Sequence, residues 1–399
     1  MLINQTFTVT QTQAPLHKPT TVTIQPTLSK LIILCLEMLL AVPLGYTGVS
    51  LNLGGIAWIL SGIGAGAIIC RSYPPLYKYF FNDINFGVIK PNRIIRQIGM
   101  LLVGLTIGFS NARADFTHVA TTIPIYIILT LFLLVSGAFT GYIYSRLGKI
   151  NILTAMLATV PGGVGVMAAI AADYNRNVTL VALSQVFRVT SVVILIPLIA
   201  RASVNTYLPP QTLFNNQLAF NLQPSYIALL CLALLLAGLI STFALRIKLP
   251  AAHFFSALLV GITFNPIISL LSSTETHFTP PAVIGIIGQI LLGITIGEYW
   301  GEKPTFGKRA LLYMTITTAM TLLSGAAASL IAMQLTTWDW LTCLLVTAPG
   351  GAAEMILVAL AIDHNVDIVT AGHLVRLIAI NCSLPIWLYL FRRLDQNPN

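Results

Sequence analysis

Hydrophobic positions in this chain come in long blocks rather than as a helical stripe or a strand alternation. After a polar stretch over residues 1–27, rich in Thr and Gln and without an acid, apolar runs recur from Leu31 to Phe391. They fall near 31–44, 52–70, 97–112, 119–144, 150–172 and 178–200, and again near 225–245, 250–272, 281–297, 310–334, 338–362 and 366–391. A block of about 20 apolar residues spans the roughly 30 Å hydrocarbon layer as a helix. The pattern therefore predicts an all-α polytopic membrane protein. The polar leader has no cleaved-signal pattern and is expected to be an unstructured cytoplasmic tail.

The blocks repeat. "IGMLLVGLTIG" (98–108) matches "IGQILLGITIG" (287–297), and Pro161-Gly162-Gly163 matches Pro349-Gly350-Gly351 at an offset of 188. The same offset pairs Thr159 with Thr347, Met167 with Met355, Asn177 with Asn365, Val181 with Val369, Arg188 with Arg376 and Pro197 with Pro385. Ser61 with Ser256 and Gly66 with Gly261 follow more loosely. The chain reads as two copies of one unit. The units are a tail (1–27), a first membrane repeat (28–201), an uncharged linker (202–223), a second repeat (224–393) and a short end (394–399). The small residues of the 98–108 run and its twin suit close helix packing.

Basic residues orient the copies. If each Pro-Gly-Gly segment dips in and returns, five segments cross per unit and the copies are inverted. Sixteen Lys and Arg then face the cytoplasm and two, Arg113 and Arg201, face outward, with Arg176, Arg188 and Arg376 in or at the membrane. Six full crossings per unit would make the copies parallel and leave twelve inside against six outside. Basic bias sets orientation, so the expectation is two inverted repeats, each of about five transmembrane helices plus a broken re-entrant segment, with both termini cytoplasmic in a bacterial inner membrane.

Pro161 and Pro349 sit near the middle of their segments. Proline removes a backbone donor and Gly-Gly weakens the helix, and bare backbone at membrane depth survives only inside protein or beside a wet cavity. Paired breaks in two inverted halves point to a transporter's binding site at the midplane. Candidate binding residues are Pro161, Gly162, Gly163, Pro349, Gly350 and Gly351, with Arg188 and Arg376 about 15 Å deep in the following segments. A midplane arginine is costly. Two readings stand: an anion-binding pair assisted by the helix N-termini after each Gly-Gly, or structural ion pairs with Asp173, Glu354 or Asp363. Glu354 has Val166 as its repeat partner, so this carboxylate could carry a coupling proton or cation; Glu37 is a second candidate.

Composition narrows the rest. The chain is 399 residues long, 56% hydrophobic and 8% charged, with net charge +9; the positive-inside rule accounts for that charge better than nucleic acid does. Cys35, Cys70, Cys231, Cys343 and Cys382 are scattered in apolar runs without a CxxC pair and read as core residues. The six histidines form no metal-ligand spacing, and His364 with His373 is a weak pair. No nucleotide or hydrolase motif is present. No cofactor and no metal are expected.

The doubled unit with "TVPGGVGVMAAIAAD", "TAPGGAAEMILVALAID" and the tails after Asn177 and Asn365 resembles the AbrB-type membrane protein family, over essentially everything after the leader. This family is distinct from a small soluble DNA-binding protein of the same name. The resemblance implies a role in regulating gene expression, and the family is also labelled ammonia monooxygenase; it supplies no catalytic residues to carry over. A monooxygenase needs a His and carboxylate metal cluster, and direct DNA reading needs a helix that can enter a groove; the chain offers neither. The first expectation is therefore a non-enzymatic secondary transporter for a small solute, with an anion favoured by the arginines. The alternative is a membrane sensor or regulator acting indirectly, through transport or a partner docked on the basic 71–96 loop. The bilayer is the expected partner, direct nucleic acid is not, and a homodimer is compatible with the pattern.

Overall fold

The computed structural model describes residues 27–51, 53–81, 92–112, 119–203, 223–247, 249, 251–272, 278–301, 307–362 and 364–396. The polar leader, most of the linker and Asp363 lie outside the described residues. Among those described, regular structure is helical throughout.

The first copy contains α1 (Thr27–Ser50), a short turn of 3₁₀ helix (Gly54–Ile56), α2 (Ala57–Phe81), α3 (Arg93–Ser110), α4 (Val119–Gly148), α5 (Ile152–Thr159), α6 (Val164–Asp173) and α7 (Val178–Ser203). The second contains α8 (Pro224–Arg246), α9 (Ala252–Ser272), α10 (Ala282–Gly301), α11 (Lys308–Leu335), α12 (Trp340–Thr347), α13 (Ala352–Ala361) and α14 (Val366–Gln396). Nine of the described helices are long and apolar enough to cross a membrane. They are all of these except α2, which counts as a shorter apolar helix over its described part, Ala57–Ser72, and the four short helices α5, α6, α12 and α13. The protein is a multi-pass helical membrane protein. Large apolar side chains on its outer surface, such as Leu39, Leu235 and Leu270, are exposed as lipid contact requires.

The helices sort into two groups by what they touch. In the first, α1 packs on α2, α2 on α10, α10 on α3, α3 on α9 and α9 on α8. In the second, α4 packs on α5, α11 and α14, α11 on α12, α6 on α7 and α13 on α14. Each group thus draws on both copies. The crossings in the first group are reciprocal and depend on glycine. A Cβ on Gly66 would lie 3.1 Å from the Ile294 Cα, and one on Gly293 would lie 2.9 Å from the Gly62 Cα. In the same way a Cβ on Gly108 would lie 2.8 Å from the Gly261 Cα, and one on Gly261 2.7 Å from the Gly108 Cα. Backbones approach this closely only where side chains are missing, which is how helices associate without a hydrophobic drive between them. The "IGMLLVGLTIG" run and its twin are these contact faces.

Both Pro-Gly-Gly segments break a helix, and local chemistry explains where. The residue before proline disfavours helical geometry, and Val160 (φ −63°, ψ 130°) and Ala348 (φ −50°, ψ 128°) are extended accordingly. The eight residues of α5 and of α12, and the ten of α6 and of α13, rise about 12 and 15 Å, so each piece is roughly half as long as the hydrocarbon layer is thick. Asn151 caps α5 by accepting from the Thr154 N–H at 3.3 Å, and Asp339 caps α12 by accepting from Leu341 at 3.2 Å and Thr342 at 3.4 Å. The two breaks are anchored alike. The Thr159 hydroxyl donates to the Gly137 carbonyl on α4 and the Thr347 hydroxyl to the Gly325 carbonyl on α11, both at 3.0 Å.

Candidate functional site

The two breaks meet. A cavity of about 130 Å³ is lined by Pro161–Val164 from one and Gly350–Glu354 from the other, together with Arg188 on α7 and His373 and Arg376 on α14. Its opposite wall comes from the first helix group: Arg96 and Met100 on α3, Ala251 and Phe254 at the start of α9, and Thr295, Ile296 and Tyr299 on α10. All eight proposed binding residues except Pro349 are in that lining; Pro349 is buried directly behind it, where its ring abuts Gly325. At roughly 30 Å³ per liquid water the space suits a few waters or a small solute.

Arg188 is buried and its partners are one backbone carbonyl and one side-chain amide. Nη1 donates to the Thr159 carbonyl at 2.8 Å, and Nη2 donates to Gln185 Oε1 at 2.6 Å. Gln185 in turn donates to the Leu157 and Val160 carbonyls at 2.8 and 3.0 Å. Arg376 repeats the arrangement: Nη1 donates to the Ala348 carbonyl at 2.7 Å and Nη2 to the Gly350 carbonyl at 3.2 Å. Its Nη2 also lies 2.7 Å from His373 Nδ1, while His373 Nε2 lies 3.0 Å from the Leu345 carbonyl. Arginine has only donors, so this network assigns His373 Nδ1 as acceptor and Nε2 as N–H, the neutral imidazole.

The reading that pairs these arginines with carboxylates finds no such pair among the described residues, and its third candidate, Asp363, lies outside them. Asp173 is exposed at the far end of α6, and Glu354 is outside ion-pair range of both guanidinium groups. Among the described residues the ion pairs are Arg176 with Asp395 at 2.6 Å and His364 with Asp339 at 2.8 Å. Backbone partners have a physical reason: a helix that stops at a Pro-Gly-Gly break leaves its last carbonyls without partners, at the negative end of its dipole. A guanidinium supplies donors and positive charge there at once. Each arginine caps a broken helix, and donors remain: Arg188 Nε is buried without a partner.

Glu354 belongs to the cavity wall. It is buried in the first turn of α13, where a carboxylate complements the helix dipole. It folds back over Gly351, where a Cβ would lie 2.7 Å from its carboxyl carbon. Glu37 is elsewhere. It is buried beside Cys70 on α2, whose thiol donates to Oε1 at 3.7 Å, and near Glu298 on α10. Sequence reasoning missed Glu298, Gln185, His373 and Arg96 as neighbours of the candidate residues. The available signal was the repeat register, which puts Gln185 and His373 one helical turn before Arg188 and Arg376.

The cavity can bind, and its charge favours one sign. Arg96, Arg188 and Arg376 face a single carboxylate, and the N-terminal ends of α6 and α13 border the same space. A helical membrane protein with two broken helices meeting at an arginine-lined cavity is the class that fold and site define. The family model described as "Transition state regulatory protein AbrB" matches residues 81–392, and the chain belongs to this AbrB family. It is 23% identical over 322 residues to "Uncharacterized protein YhjN" of Bacillus subtilis (strain 168), covering 76% of this chain and 80% of that one. It is 25% identical over 282 residues to "Putative regulator AbrB" of Escherichia coli (strain K12), covering 70% of this chain and 77% of that one.

Proposed function

We propose that this protein is a secondary transporter that binds a small anionic solute between its two Pro-Gly-Gly breaks. The observation that carries the proposal is the meeting of both tips and both arginines around one cavity. In this reading the copies are inverted and each broken segment enters and leaves on one face, as the basic asymmetry suggests. Both termini are then cytoplasmic, and no chemistry is done on the solute.

The same orientation gives the cavity a direction. The residues on its wall from the first helix group lie at the start of α3, the start of α9 and the end of α10. All three ends are cytoplasmic in the inverted arrangement, so in this reading the cavity lies toward the cytoplasmic ends of that helix group. Alternating access would follow from movement of the group carrying the broken helices against the other, the repertoire of rigid-body shifts seen in such folds.

The test is flux in vesicles holding the purified full chain, with a panel of small carboxylates and inorganic anions. A cysteine placed at Lys248 should be labelled only from the cytoplasmic side. Labelling from the other side, or no saturable flux of any anion, overturns the proposal. The name of the E. coli relative supports a second reading, a membrane regulator; binding of a solute without flux is the result that would favour it.

A further inference from the structure

We propose that Glu37, Cys70 and Glu298 form a site for a divalent metal ion of the zinc class, outside the central cavity. The three side chains come from α1, α2 and α10 and each offers one ligand atom, all within 4.8 Å of one another. All three are buried, Glu37 completely. Glu37 Oε2 is enclosed and has no hydrogen-bond partner among the described residues. Glu298 Oε2 is held in place by the Asn92 N–H at 3.0 Å, the kind of outer contact that orients a ligand.

The charge argument is direct. Two carboxyl groups facing each other inside a membrane protein stay buried either protonated or beside a counter-charge, since burying an unpaired anion is costly. Neither takes part in an ion pair among the described residues. A divalent cation at the point where the three ligand atoms converge supplies that charge and occupies the vacant valence of Glu37 Oε2. On binding it displaces the protons these groups hold, which leave for the medium.

The donor set selects the ion. Ca²⁺ takes six to eight oxygens and Mg²⁺ keeps an octahedral oxygen shell. Among the described residues three Cys and Glu ligand atoms converge here and one is sulfur, a borderline-soft set that fits Zn²⁺ with a water in the fourth position. The ion would tie α1 to α2 and α10 and stiffen the helix group against which the broken helices move. The site does not depend on transport, and its ligands do not line the cavity.

The experiment strips the purified full chain with a chelator and titrates it with Co²⁺, a coloured stand-in for zinc. The expected result is one Co²⁺ per chain, with thiolate-to-cobalt charge-transfer absorption that Zn²⁺ abolishes. Cys70→Ser should remove the absorption, while Cys343→Ser and Glu354→Gln should leave it. Glu37→Gln and Glu298→Gln should each weaken Co²⁺ binding by roughly tenfold or more. Where a glutamate variant does not purify as a monodisperse protein, Cys70→Ser, a one-atom change, decides alone. No charge-transfer absorption in the native chain, or its survival in Cys70→Ser, overturns the proposal.

Discussion

The two broken helices share a frame and differ in what they add to it. In each, a threonine hydroxyl ties the end of the first piece to a glycine carbonyl on a neighbouring long helix, and an arginine caps the freed carbonyls. The additions differ. Behind Arg188 stands Gln185, behind Arg376 stands His373, and where the first copy has the exposed Val166 the second has the buried Glu354. Burial differs too: Ala353–Ala359 of α13 are all buried, whereas α6 buries only Val164, Met167 and Ala171. The second break packs on α3 and the 54–56 turn as well as on α7, α12 and α14, while the first packs mainly on α5 and α7. What the copies share is what holds the end of a broken helix. What they do not share is where direction and coupling would reside in the proposed transporter, because two identical halves could not prefer one face.

Removing the shared element should have the largest effect. Arg188→Gln deletes two hydrogen bonds from a buried charged group and Arg376→Gln three, worth about 1.5–3 kcal/mol apiece. A loss of about 3 kcal/mol at the site corresponds to roughly a hundredfold in affinity, so flux should fall by that order and Tm by several degrees. Arg→Lys should rescue poorly, because lysine keeps the charge but loses the planar fork. Flux and thermal unfolding measured on the same purified variants check this. Normal flux in both Arg→Gln proteins would remove the arginines from the mechanism, and loss in only one would break their equivalence.

The unshared carboxylate is the next test. Glu354→Val gives the second break the side chain of the first. It removes a buried carboxylate that has no ion-pair partner among the described residues, so stability should hold or rise, while flux drops by roughly tenfold or more and loses its dependence on the driving ion. Normal coupled flux in this variant would assign Glu354 to capping α13 alone.

The smallest effect is expected at the entrance to the second break. Burial pushes the Asp339 carboxyl up, but hydrogen bonds from Thr342 and His364 outweigh it and hold the carboxyl below its usual value. The folded value therefore lies below the unfolded one of about 3.9. The stabilisation is complete above about pH 4 and fades as pH falls through the folded value. Asp339→Asn copies Asn151 of the first break and keeps a good cap, so the change near neutral pH should be about 0.5 kcal/mol, against about 1 kcal/mol for Asp339→Ala. The Asn variant should lack the acid-side loss attributable to this carboxyl. Unfolding midpoints followed from neutral to acid pH would show it, and an unchanged acid slope would mean that Asp339 is not the group responsible.

By itself the sequence determined everything that follows from neighbouring residues and from composition. Apolar blocks specify membrane helices because the bilayer leaves backbone groups no other partner. Pro161 and Pro349 specify where two of them stop, and the offset of 188 discloses the duplicated unit. Seven of the eight binding candidates proved to share one cavity wall. Only the tertiary structure decided what touches what across long separations. Nothing local tells Arg376 that its partners are the carbonyls of Ala348 and Gly350, 28 and 26 residues earlier, rather than a carboxylate. Nothing local brings Glu298 within reach of Glu37 and Cys70, since that cluster depends on the glycine-lined crossing of α2 and α10. Helix formation is set by each segment meeting lipid, whereas a site is set by how segments pack on one another, and that is written in pairs of faces that no single stretch contains.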